Sequence, residues 1–111
     1  MNVKKELLEL LKEQNVTLKC GYIRESRYDI TEEKRKKAIL KVGYTKNDYD
    51  NFLQSIDFDY DDGFGTDELA GVLWFSDGTW ATRGEYDGSE WWEYHKQPEI
   101  PFILAQSKDK E

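Results

Sequence analysis

A chain of 111 residues, 35% charged and 14% aromatic, is sized for one domain, and its aromatics exclude the composition of a disordered segment. The formal charge of −7 is unevenly placed: residues 44–93 hold thirteen acids against two bases, a net −11, whereas residues 1–43 hold eleven bases against seven acids, a net +4. A lone cysteine, Cys20, excludes an internal disulfide; no apolar run approaches the ~20 residues of a membrane span; and a charged amphipathic start without an apolar h-region predicts no signal peptide, which together fit the cytoplasm.

Asn2 can cap a helix whose apolar stripe is Val3, Leu7, Leu8, Leu10 and Leu11, with Asn15 as its stop. Val16, Leu18, Cys20 and Tyr22 then alternate with Thr17, Lys19 and Gly21, which predicts a strand with Cys20 as a small buried residue. Thr31 followed by Glu32 and Glu33 reads as a helix start, and the basic run Lys34 to Lys37 is either one helical turn or a loop. Ala38 to Tyr44 is strand-like. Thr45 caps a second helix with Tyr49, Phe52, Leu53 and Ile56 on its inner face. A short strand is expected at 57–60, with Phe58 and Tyr60 on one face and Asp57 and Asp59 on the other.

Gly71 to Phe75, Thr79 to Tyr86 and Glu90 to His95 are strand-like runs separated by Asp77-Gly78 and Asp87-Gly88. Asp-Gly between such runs signals type I′ hairpins, so a three-stranded antiparallel meander is expected. Pro98 and Pro101 end regular pairing. The order of elements predicts an α+β fold: a single domain over 1–104, an antiparallel sheet with the C-terminal meander, two helices packed on one face, and a flexible polar tail at 105–111.

Several patterns touch on chemistry. Asp57, Asp59, Asp61 and Glu68 occupy positions 1, 3, 5 and 12 of the EF-hand spacing, but position 6 is Asp62 where the sharp turn needs glycine, and Gly63 comes one residue late. A calcium-binding module at 57–68 therefore stays open beside the plainer reading, carboxylates in solvent before a Gly-rich turn. Glu85, Asp87, Glu90 and Glu93 contain pairs of glycosidase type, with Trp91 and Trp92 able to stack on sugars, yet some lie at an exposed turn and a meander offers no cleft. His95 is the sole histidine, and with Cys20 it is too little for a zinc site or a local catalytic pair. No catalytic residue, metal or cofactor is expected. The basic run Lys34 to Lys37 stands against a pI of about 4.8, so direct nucleic-acid binding is not expected.

The acidic body also carries all four tryptophans. Trp91 and Trp92 must point to opposite sides of a strand, so helices covering only one side leave large aromatics exposed. Alternate residues on a strand lie about 6.8 Å apart, so a ladder such as Asp57, Asp59 and Asp61 repeats charge on a scale comparable with two base-pair rises of DNA.

The segment Val72-Leu-Trp-Phe-Ser-Asp-Gly-Thr-Trp-Ala-Thr-Arg-Gly-Glu-Tyr-Asp-Gly-Ser-Glu-Trp-Trp-Glu-Tyr, with Pro98 and Pro101 after it, resembles small uncharacterised proteins of phages and prophages. In size and charge the chain is similar to anti-CRISPR and anti-restriction inhibitors, which share no motif that would carry over a residue. The resemblance implies a non-enzymatic interaction module that meets a basic partner, such as a nucleic-acid-handling host defence protein, in the host cytoplasm. Asp57, Asp59, Asp61, Asp62, Asp67, Glu68, Glu85, Asp87 and Glu90 would supply charge, and Trp91, Trp92 and Tyr94 would anchor. The alternative is a small-ligand or carbohydrate-binding domain using the aromatic sheet face. An uncovered face would also favour a homodimer.

Overall fold

The computed structural model describes residues 1–26, 31–60, 69–86 and 89–106. Their elements run α1 (Val3–Gln14), β1 (Leu18–Glu25), a 3-10 turn (Glu32–Lys34), β2 (Lys37–Leu40), α2 (Lys46–Ser55), β3 (Leu69–Phe75), β4 (Trp80–Tyr86), β5 (Ser89–His95) and a single-turn α3 (Phe102–Ala105). The strands form one five-stranded antiparallel sheet in the order β2-β1-β3-β4-β5. The α+β architecture expected from the sequence is therefore present, with β1–β3 pairing joining an N-terminal hairpin to the meander.

Local chemistry explains the helix ends. The Asn2 side chain accepts from Lys5 N at 2.9 Å. Asn15, in the left-handed region at φ 53°, closes α1 by donating its N–H to carbonyls of the last turn. The first N–H groups of α1 have carbonyl partners from further along the chain, Val3 N to Phe58 O at 2.9 Å and Lys4 N to Ile56 O at 3.0 Å. In α2, Thr45 Oγ1 accepts from Asp48 N at 3.1 Å while Asp48 Oδ2 accepts from Thr45 N at 3.0 Å, a reciprocal capping box.

Both helices lie on one face of the sheet. Val3, Leu7 and Leu10 of α1 and Phe52 and Ile56 at α2 join Leu18, Ile23, Leu40, Leu69, Leu73, Phe75, Ala81 and Trp92 in one buried core. Gly71 belongs to this packing. A Cβ there would stand 2.5 Å from the Tyr22 carbonyl oxygen and 3.1 Å from the Trp92 ring, so glycine lets β1 and β3 close up beneath the indole.

Four local expectations need correction. In β1 the register shifts between Leu18 and Cys20, a bulge that reverses the inside–outside phase. Leu18 is buried but so is Ile23, while Tyr22 is exposed and Cys20 only half-buried. The segment at 57–60 keeps its alternation, yet it is no strand of the sheet: it makes one bridge, Asn2 with Asp59. β2 ends at Leu40, because the chain turns so that Tyr44 stacks on Tyr49 at 5.7 Å and donates to Leu18 O at 2.6 Å.

The fourth is the first meander turn. Only Gly78 has positive φ, at 88°, so it is not type I′. Gly78 N donates to Phe75 O and Phe75 N to Thr79 O, which makes a three-residue loop with glycine at the left-handed position. Asp77 Oδ1 accepts from both Thr79 N and Thr79 Oγ1. Asp87-Gly88 lies outside the described residues, although Tyr86 pairs with Ser89 on either side of it.

Candidate functional site

The sheet separates two groups of side chains. On the helix side, Arg83 of β4 is the only base among the alternating residues of the meander, and its side chain is 8% exposed. Nη1 donates to Glu6 Oε1 at 3.2 Å, and Nη2 to the Tyr60 hydroxyl at 3.1 Å and to Glu90 Oε1 at 3.4 Å. The guanidinium also lies 4.9 Å from the Trp92 ring centre and 5.4 Å from that of Tyr60. Tyr60 in turn donates to Glu6 Oε1 at 2.7 Å, and Glu90 accepts from Leu69 N at 3.1 Å.

Burial opposes the charge on Arg83, but its hydrogen bond to Tyr60 and the nearby Glu6 and Glu90 outweigh that and hold its pKa above the ordinary value. Burial keeps the Tyr60 hydroxyl protonated far above the usual tyrosine range; the Arg83 hydrogen bond opposes this and the one to Glu6 reinforces it. Arg83 Nε and Trp92 Nε1 are buried with no hydrogen-bond partner among the described residues. The cluster fastens α1 and the 57–60 segment to β4 and β5. His95 is on the opposite face of the sheet, so these acids and the sole histidine do not meet.

This placement shows where the anticipated contact residues of β5 lie. Glu90 is 5% exposed and Trp92 8% exposed, so both belong to the core rather than to an outer contact surface. Tyr94 is half-buried on the same side, 5.9 Å from Phe75 ring to ring. The reason is parity: residues 90, 92 and 94 face the helices, and Trp91 faces away.

The acidic residues divide. Asp57 and Asp59 are exposed while Phe58 and Tyr60 turn inward, and Asn2 Nδ2 donates to Asp57 Oδ1 at 3.0 Å. Glu85 is exposed at the end of β4, directly across from buried Glu90. Asp61, Asp62, Asp67, Glu68 and Asp87 lie outside the described residues, and so does most of the calcium-type spacing at 57–68. Among the described residues, no three His, Cys, Asp or Glu side chains gather as a metal site.

Neither α1 nor α2 covers the other face of the sheet. It presents Tyr22 at 39%, Trp74 at 43%, Trp91 at 36% and Ile39 at 65% exposure. Register places Ile39, Tyr22, Val72, Thr82 and Glu93 in one row across the five strands, and Cys20, Trp74, Trp80 and His95 in the next. Trp80 stacks on His95 at 5.5 Å, and His95 Nε2 shares a hydrogen bond of 2.8 Å with Thr82 Oγ1. The sequence marked Trp91 as an anchor, but Tyr22 and Trp74 escaped notice as a pair. The bulge in β1 hides Tyr22, because unbroken alternation puts it on the face of Leu18. Arg83 escaped because a lone base among acids reads as a surface residue.

A second apolar surface is the groove between α1 and α2, about 600 Å³, lined by Leu8, Leu11, Val16, Tyr44 and Tyr49 with Lys12 and Lys46 at its rim. No described helix is long and apolar enough to cross a membrane. Comparison with protein-family models, curated proteins and solved structures finds no match for this chain.

Proposed function

We propose that this chain is a non-enzymatic protein-interaction module of the phage-inhibitor type, which occupies a basic groove on a nucleic-acid-handling host defence protein. The observation that carries the reading is the outward placement of Asp57 and Asp59 on a segment pinned to the body. Tyr60 N donates to Met1 O at 2.8 Å and the Tyr60 hydroxyl is tied to Glu6, so these carboxylates are held in position at the head of the acid-rich stretch 57–68. Pre-positioned charge speeds encounter with a cationic groove and costs little ordering on binding. The resemblance of the 72–94 segment to small phage proteins supports the same class.

Affinity capture from bacterial lysate at low and high salt tests it. A basic nucleic-acid-binding protein should be retained at low ionic strength and released at high, and the double variant Asp59→Lys, Asp61→Lys should lose it. Retention that ignores both salt and charge reversal would remove the electrostatic basis of the proposal.

A further inference from the structure

Besides the helix groove, two apolar features are exposed among the described residues. One is the open sheet face of Tyr22, Ile39, Trp74 and Trp91. The other is the arm that follows β5, where Ile100 is 63%, Phe102 80%, Ile103 75% and Leu104 71% exposed. Four large apolar side chains so exposed in one short arm are not a random scatter of surface hydrophobics. We infer that the protein forms a reciprocal dimer in which residues 100–104 of each copy lie across the open sheet face of the other.

Chain geometry favours a second copy over the arm's own face. Pro98 and Pro101 bias Gln97 and Ile100 toward extended backbone, and Pro101 itself is at φ −56°, ψ 147°. Lys96 to Pro101 is thus a stiff spacer of roughly 19 Å at about 3.1 Å per residue, which disfavours a tight reversal over β5.

Area favours reciprocity. One arm on one face removes on the order of 700 Å² from water, below a stable interface, whereas two symmetric contacts reach roughly 1,400 Å², inside the usual range of about 1,200–2,000 Å².

Charge agrees. The open face is the near-neutral side of an acidic molecule, with Arg24 and Lys37 beside Tyr22 and Ile39, and Glu93 at the far strand. The arm from Pro98 to Gln106 carries one charge, Glu99, which suits the Arg24–Lys37 corner. A second copy therefore meets little charge repulsion on this face.

Sedimentation velocity on the full chain from 1 to 100 μM is the test, with circular dichroism to check folding. The parent chain should sediment as a dimer. Phe102→Asp with Ile103→Asp should be a folded monomer, and so should Tyr22→Glu with Trp74→Glu. Phe102→Ala should weaken association about tenfold or more. Mixing the two monomeric double variants leaves one intact arm–face contact, so it should restore only weak association, visible at the top of the concentration range and at least tenfold weaker than the parent. Leu8→Asp, in the helix groove, should leave the dimer intact. A parent chain monomeric at 100 μM, or a dimer dissociated by Leu8→Asp and not by the face pair, overturns the inference.

Discussion

Arg83 and Trp92 are direct partners across the β4–β5 pair, and the guanidinium carbon lies 4.9 Å from the centre of the indole ring. The same guanidinium reaches Glu6, Tyr60 and Glu90, so one side chain joins the first helix, the segment after the second, and the last two strands. A buried charge held this way adds little net stability over an apolar replacement, but removing one partner is costly.

Arg83→Ala should therefore destabilise the fold by about 3–5 kcal/mol, because Glu6 and Glu90 are left charged and poorly hydrated. Arg83→Lys should recover only part of this, since an ammonium cannot reach three acceptors and lie against two rings at once. Urea unfolding measures both. A loss under ~1 kcal/mol for the alanine variant would mean that the cluster does not form.

Adjacent tryptophans should behave oppositely. Trp92→Ala should cost about 3–5 kcal/mol through the cavity it leaves, and Trp91→Ala at most ~1 kcal/mol. Thermal or urea unfolding of the two variants gives the comparison. Equal losses would contradict the assignment of faces.

Glycines 78 and 71 should fail for different reasons. At Gly78, with φ 88° and nothing within 4 Å of a built Cβ, alanine should cost about 1 kcal/mol, purely from backbone strain, and asparagine less. At Gly71 alanine should cost clearly more, because its Cβ would press on the Tyr22 carbonyl and spread β1 from β3. Melting temperatures of Gly78→Ala, Gly78→Asn and Gly71→Ala rank the three.

Asp77 should titrate below the ordinary carboxylate range, because the Thr79 hydroxyl, and then the Thr79 backbone N–H, donate to its charged form. A pKa depressed by folding contributes stability that is present above the unfolded-state value and lost as pH falls through the folded one. The turn should thus loosen only in acid below the usual carboxylate titration. Carbon-13 NMR of the Asp77 carboxyl reads the midpoint directly, and Thr79→Val should move it back up. An ordinary midpoint in the parent chain would show that the turn hydrogen bonds are absent.

Much of the scaffold was legible because its signals are local. Asn2, Asn15 and Thr45 mark helix ends through bonds spanning a few residues, and strand alternation in 71–95 follows from backbone geometry alone. The candidate surfaces were less legible. Alternation shows that Trp91 and Trp92 oppose each other, but not which of them the helices cover. Expecting Trp92 as an outward anchor and Glu90 as outward charge follows from that gap, and both are buried. Charge counting likewise treated Glu90 as surface, since nothing nearby in sequence announces the guanidinium and the Leu69 N–H that hold it inside.

What the amino-acid order settled unaided is the set of elements: caps, apolar stripes and period-two runs each act within about one turn or one hairpin. Tertiary structure alone decided which side of the sheet is dry, where β1 slips its phase, and that Arg83 sits inside. Those outcomes depend on packing α1 and α2 against strands far along the chain. Burial is a property of the assembled layers, and no short window of sequence contains both layers at once.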